Sequence, residues 1–166
     1  MNRVLVIGCP GSGKSTFARA LRDRTGLPLI PIDRLYWNAD RTVVPPEVFR
    51  TRLARALALP RWILDGNRGS TMAQRMAVCD TVFFLDYPTS VCVSGVLARR
   101  EQPRPDLPWV EPPDAVDAAF MDSIHQYRTQ SRPKVLHLLE NHPEKAIHIF
   151  STRAQADAFL GSAFRF

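Results

Sequence analysis

The chain has 166 residues, of which 45% are hydrophobic and 23% charged, with a formal net charge of +6. That length and apolar share suit one domain with a sizeable core, and no run approaches the about 18 apolar residues of a membrane span. Cys9, Cys79 and Cys92 are scattered, odd in number and outside any C-x-x-C or zinc spacing, which excludes a disulfide framework and points to free thiols in a reducing cytoplasm.

Val4-Leu5-Val6-Ile7 is a short, mostly β-branched apolar run and reads as a buried parallel strand. It begins within the first few residues, so no signal peptide is expected before it. Gly8-Cys9-Pro10-Gly11-Ser12-Gly13-Lys14-Ser15 follows and fits the phosphate-loop pattern G-x-x-x-x-G-K-[ST]. Phe17, Ala18, Ala20 and Leu21 then recur at helical spacing, with Gly26 as the C-cap. Strand, glycine loop and helix are the context this motif needs. The glycines let backbone N–H groups turn inward around phosphate oxygens, and the helix N-terminus adds partial positive charge. Gly8 through Thr16 are therefore the expected nucleotide-binding residues. Lys14 would reach the β- and γ-phosphates of ATP, and the Ser15 hydroxyl would sit on Mg²⁺. A dinucleotide fingerprint is the rival, but Thr16 stands where its last small residue should be, and Gly-Lys-Ser decides for a nucleoside triphosphate. Cys9 reads as a small filler in the loop.

Leu27 to Ile32 reads as a second strand, broken by Pro28 and Pro31 and so short or at an edge. It ends at Asp33. An acid at the carboxyl end of a strand in an α/β protein points into the ligand crevice. Asp33 is a candidate general base for an acceptor hydroxyl, a ligand of the acceptor, or a cap. Tyr36 and Trp37 either stack on an acceptor ring or pack the core. Pro45-Pro46-Glu47 opens a helix whose stripe is Val48, Phe49, Leu53, Ala56 and Leu57, and Pro60 stops it.

Trp62-Ile63-Leu64 makes a third strand ending in Asp65-Gly66-Asn67-Arg68. An aspartate closing an apolar strand is the position that holds Mg²⁺ in phosphate-loop proteins, so Ser15 and Asp65 are the expected metal residues. Asn67 and Arg68 would face the crevice with Asp33 and Trp37 as acceptor-binding residues. Ser70 to Val78 reads as a short helix. Val82 to Leu85 is a fourth strand ending at Asp86, and Ser90 is a candidate cap for the helix running to Arg100. Arg99, Arg100 and Arg104 precede a proline-rich stretch and are candidate catalytic arginines closing over a triphosphate; a charged helix end is the alternative for the first two. The segment from about Arg99 to Arg132 reads as a lid. Helices are expected from Asp114 through Tyr127 and, beyond a break around Pro133, over Val135 to Leu139. Ala146 to Phe150 is the fifth strand, and Ser151 or Thr152 caps the last helix. The four histidines have no ligand-like grouping, so no metal is assigned to them.

Arginine supplies nearly all the positive charge; only Lys14, Lys134 and Lys145 are lysines. Guanidinium grips phosphate in bidentate fashion, which suits phosphate-rich small molecules. It also admits a nucleic-acid partner, although the basic residues are spread out and interrupted by acids. No membrane partner is expected.

The loop Gly8–Ser15, the stretch Trp62-Ile63-Leu64-Asp65-Gly66 and the pair Arg99-Arg100 resemble the adenylate-kinase-like branch of phosphate-loop kinases. Ile32-Asp33 through Trp37, Asp65-Gly66-Asn67, Arg104-Pro105-Asp106 and Ser131-Arg132-Pro133-Lys134 are similar to bacterial topology modulation (FlaR-like) proteins. The resemblance implies a three-layer α/β fold with a five-stranded parallel sheet, ATP binding and, by the family's name, an influence on DNA topology. Asn67 stands where adenylate kinases continue with an aromatic residue and proline, which speaks against AMP as acceptor. The leading expectation is phosphoryl transfer from ATP to a small molecule such as a nucleotide or nucleoside. A nucleotide-regulated DNA-binding protein and a bare ATPase are the alternatives.

Overall fold

The computed structural model describes residues 1–99, 106–109 and 117–162. Arg100, Arg104 and the expected helix start at Asp114 lie outside them, as do parts of the lid segment. The described residues form a five-stranded parallel sheet in the order β2-β3-β1-β4-β5, with β1 Arg3–Gly8, β2 Leu29–Pro31, β3 Trp62–Asp65, β4 Thr81–Leu85 and β5 Ala146–Phe150. Strand β1 is central because its apolar run has no polar face. Val4, Leu5, Val6 and Ile7 are fully buried, as are Ile63 and Leu64 on one side and Val82, Phe83 and Phe84 on the other. A strand covered on both faces reads as continuous hydrophobics rather than as alternation. Strand β2 is an edge strand of three residues, as Pro28 and Pro31 require, since neither has an N–H for a second neighbour.

Helix α1 (Lys14–Thr25) turns Phe17, Ala18 and Leu21 onto the sheet and ends at Gly26, whose left-handed backbone donates its N–H to the Arg22 carbonyl at 2.8 Å. The helices α2 (Ile32–Tyr36), α3 (Pro46–Ala58) and α4 (Met72–Val78) follow, the last entered through a 3₁₀ turn, Gly69–Thr71. Helix α5 (Thr89–Ala98) starts one residue before Ser90, with Pro88 at its N-cap and no side-chain cap. Ser90 is therefore inside the first turn rather than at its boundary. Helix α8 (Arg153–Ser162) has a reciprocal cap: the Thr152 hydroxyl accepts from Gln155 N at 3.3 Å, and the Gln155 side chain accepts from Ser151 N and Thr152 N.

The expected break around Pro133 is absent. Helix α6 (Ala118–Gln126), capped by Asp117, runs through a π-helical turn, Tyr127–Ser131, into α7 (Arg132–Glu140). The Arg132 N–H bonds back five residues, to the Tyr127 carbonyl. Pro133 has no N–H to give an ordinary α-turn and its ring crowds the preceding turn, so the widened turn accommodates it without breaking the rod. No helix of the described residues is long and apolar enough to cross a membrane.

Candidate nucleotide and acceptor cleft

The carboxyl ends of the strands open onto a cleft whose floor is the loop between β1 and α1. Gly11 has φ +81° and Gly13 φ +88°, a left-handed backbone that glycine adopts without strain. At Gly11 the need is also steric: a Cβ there would overlap the Cys92 carbonyl oxygen of α5, and a Cβ on Gly95 would overlap the Gly11 carbonyl. Loop and helix therefore touch backbone to backbone. Gly13 caps α1 with open space around its Cα. Ser12 is buried, and its hydroxyl has no hydrogen-bond partner among the described residues.

One cavity, about 470 Å³, is lined by Gly11 to Phe17 and continues between α5 and α8 along Gly95, Ala98, Arg99, Arg153, Asp157 and Leu160. A second, about 420 Å³, meets it at Lys14, Ser15, Arg99 and Asp106 and is lined by Asp33, Trp37, Asp65, Asn67, Arg68, Trp109 and Phe120. Both volumes fall in the range of small-molecule sites. Lys14, Ser15 and Asp65, which sequence spacing alone had suggested, are thus brought to one junction, with Asp33 on one side of it and Thr16 on the other.

The charges at that junction act on each other. Burial pushes the Lys14 ammonium below its ordinary value, and the Asp65, Cys9 and Asp33 side chains oppose that shift. Its Nζ donates to the Cys9 carbonyl at 3.0 Å. Asp65 is 5% exposed, and its Oδ1 has no hydrogen-bond partner among the described residues. Burial raises its carboxyl to about 6, against the pull of Lys14 and of a hydrogen bond from Ser15, while Asp106 and Asp33 push the same way as burial. A sealed, unpartnered carboxylate oxygen beside a hydroxyl and a second acid is a donor set that fits a hard divalent cation such as Mg²⁺, and the unpartnered Ser12 hydroxyl with the open turn at Gly13 fits a phosphate group.

Several expected ligands have other engagements. The Asn67 side chain accepts from Gly8 N at 3.0 Å and donates to Gly8 O at 2.6 Å, so it braces the first residue of the loop. Gly8 N–H is consequently committed to Asn67 rather than turned to phosphate. The Cys9 carbonyl accepts from Ser12 N and Lys14. The Cys9 thiol is buried, and its hydrogen bond with Cys92, together with burial, pushes it well above its ordinary value, which agrees with a filler role. Pro10 lines the second cavity. Arg68 has φ +35°, and its guanidinium lies over the Tyr36 ring. Tyr36 is also edge-on to Trp37 and Phe49, so it packs, whereas Trp37 reaches the cavity. Arg99 lines both cavities. Asp86 is held by Arg132 in a bidentate pair with contacts of 2.7 to 3.0 Å, an anchor for the α6–α7 rod.

Five residues at or behind the cleft are not among the site residues that the sequence singles out. Arg75, on α4, is 0% exposed, and its guanidinium donates to the carbonyls of Gly66, Asn67, Arg68 and Thr71. It fastens the turn that carries Asn67 and Arg68, and burial lowers it to about 10. Asp106 is buried and pairs with Arg19 at 3.7 Å. Trp109 meets Trp37 edge to face, with centroids 5.4 Å apart. Arg153 and Asp157 line the far end of the first cavity. Only the assembled tertiary structure brings these to the cleft.

No protein-family model matches the chain, and no curated protein sequence does. Solved structures do. The chain is similar to the shikimate kinase from Acinetobacter baumannii in complex with shikimate, with 13% identity, 98% of this chain and 90% of that one covered, and a TM-score of 0.65. It is also similar to the shikimate kinase from Bacteroides thetaiotaomicron, with 16% identity, coverage of 98% and 95%, and a TM-score of 0.62. At such identities the likeness speaks for architecture: the chain has the phosphate-loop kinase fold, an α/β sandwich around a five-stranded parallel sheet.

Proposed function

We propose that the protein is an ATP-dependent kinase that phosphorylates a small molecule, with a nucleotide or a nucleoside as the acceptor class. The observation that carries this reading is the pair of cavities meeting at Lys14 and Ser15. A bare ATPase needs only the first; a second cavity opening on the transfer point is what an acceptor requires. The neighbouring solved structures are kinases, and one was solved with its acceptor.

In this reading the loop from Gly11 to Thr16 holds the triphosphate, and the α5–α8 end of the cavity takes the base. Ser15 and Asp65 would hold Mg²⁺, which when bound would supply charge neutralisation on the phosphates. Lys14 and Arg99 balance charge on the transferring phosphoryl group. Asp33 accepts the proton of the acceptor as its oxygen bonds to the γ-phosphorus and the bond to the β-phosphate oxygen breaks, releasing ADP. Arg100 and Arg104 keep their proposed catalytic role from sequence alone. The stretch 106–109, with Asp106 on Arg19 and Trp109 on Trp37, acts as the described part of the lid.

The nucleic-acid reading gains nothing from the fold. Arg19, Arg22, Arg52, Arg68, Arg75 and Arg132 are each engaged with a partner within the chain. The test of the kinase reading is ADP release with ATP and Mg²⁺ across an acceptor collection. Release above the acceptor-free background supports transfer; release indifferent to every acceptor leaves an ATPase.

A further inference from the structure

We infer that the acceptor is a neutral, hydroxyl-bearing compound with a planar aromatic ring, the chemistry of a nucleoside, and that it is neither a nucleoside monophosphate nor a polyhydroxy carboxylate. This deepens the kinase reading and rests on it.

The walls of the second cavity carry the first half of the argument. Trp37, Trp109 and Phe120 line it together with Ile32 and Leu107. Trp37 follows α2, Trp109 belongs to the stretch 106–109, and Phe120 sits on α6, so three separate parts of the chain deliver aromatic rings to one space. Leu107 is 6% exposed and fixes the stretch that carries Trp109. The two indoles meet at 84°. Edge-on contact leaves ring face uncovered, and both indoles are only half-buried. Large apolar faces held open in a cavity gain most from a flat apolar partner. A small polyol presents hydroxyls to such walls and leaves them unsatisfied.

The charges carry the second half. Among the described residues, the acids that line the cavity are Asp33, Asp65 and Asp106. Asp33 is close enough to the transfer point to act on both Lys14 and Asp65. A phosphate acceptor is already anionic, has no proton that must leave, and would be repelled by a carboxylate at the point of attack. A hydroxyl acceptor has a proton to lose, and Asp33 is the group that takes it. The described cations of this cavity are Lys14, Arg68 and Arg99. Lys14 and Arg99 also line the nucleotide side, and the Arg68 guanidinium lies on the Tyr36 ring. Transfer then makes a phosphate monoester of the ring-bearing alcohol and ADP, with the proton on Asp33.

The experiment uses the full chain with ATP and Mg²⁺, following ADP release and tryptophan fluorescence. The probes are adenosine, guanosine, cytidine and uridine, their 5′-monophosphates, and shikimate. At least one nucleoside is expected to raise ADP release and quench the fluorescence, with its monophosphate at least tenfold poorer in kcat/KM. Trp109→Ala should raise the KM for that nucleoside roughly 5- to 150-fold, the range of a lost base–aromatic stack, with a smaller change in kcat, and Trp109→Phe should recover most of the loss. Asp33→Asn should show the opposite split, with kcat collapsing while the fluorescence titration by the nucleoside persists. A monophosphate or shikimate that outperforms every nucleoside overturns the inference. So does a protein that binds ATP yet shows neither turnover nor quenching with any nucleoside. If calorimetry finds no ATP binding at all, the kinase reading itself falls, and the acceptor falls with it.

Discussion

The proposed nucleotide side of the cleft is built from backbone, and the proposed acceptor side from side chains. On the first, the residues from Gly11 and the start of α1 line the cavity, and glycine conformations shape the turn. On the second, Asp33, Trp37, Arg68, Trp109 and Phe120 come from four places in the chain and meet only in the folded state. A site made of backbone tolerates little variation in its sequence, because only particular residues permit the conformation. A site made of side chains can be refitted one wall at a time.

The largest effect that would break the comparison is at Lys14. Lys14→Ala is expected to lower turnover by about 10²–10³-fold or more, with the far-ultraviolet circular dichroism unchanged. Full activity in that variant would remove the phosphate loop from the chemistry altogether.

Two glycines sharpen the claim about backbone. Gly11→Ala forces a Cβ into the Cys92 carbonyl at a positive φ, so it should cost about 2–5 kcal/mol in a denaturant titration. Gly13→Ala meets open space at a similar φ and should cost only about 1–2 kcal/mol. Equal losses would mean that dihedral preference alone, not the docking of α5, shapes the loop.

Arg75 tests whether the two sides share a support. Arg75→Met removes the donor to four carbonyls and is expected to cost about 2–4 kcal/mol, and to weaken ATP binding because Asn67 loses its hold on Gly8. Arg75→Lys should recover little, since one ammonium cannot reach every carbonyl that the guanidinium fork does.

A smaller effect concerns pH. Burial raises Asp65 to about 6. Below that value the carboxyl is mostly neutral and a poor cation ligand; above it the carboxylate dominates. Metal-dependent turnover should therefore climb with pH through about 6, and Asp65→Asn should abolish that limb and raise the Mg²⁺ concentration needed. For stability the sign is reversed. The native chain holds this proton where the unfolded chain has lost it, so the group's contribution is full below about pH 4 and disappears as pH rises through about 6. The smallest effect is at Arg132, whose exposed side of the Asp86 pair is shared with solvent. Arg132→Ala should cost about 1 kcal/mol and loosen the α6–α7 rod in hydrogen exchange.

Legibility in the sequence follows the same division. Strand β1, the loop and Asp65 were readable because hydrophobic runs and glycine spacing are local. Asn67 lines the second cavity, but its amide turns to Gly8, which no spacing could reveal. Arg75 looks like any arginine on a short helix; its burial depends on four carbonyls converging in a turn. Pro133 signalled a break by rule, and the π turn before it removed the need for one. Trp109 sat in a proline-rich stretch without periodicity and met Trp37 only through the fold.

The contact between Gly11 and Gly95 has a consequence for the order of folding. The loop is local in sequence, yet Asn67 must arrive to brace Gly8, and α5 must arrive to seat Gly11. Contacts of such sequence separation form only after the intervening chain has closed on itself. The loop between β1 and α1 therefore takes its final shape late, against a sheet and a helix already in place, rather than acting as a seed for them.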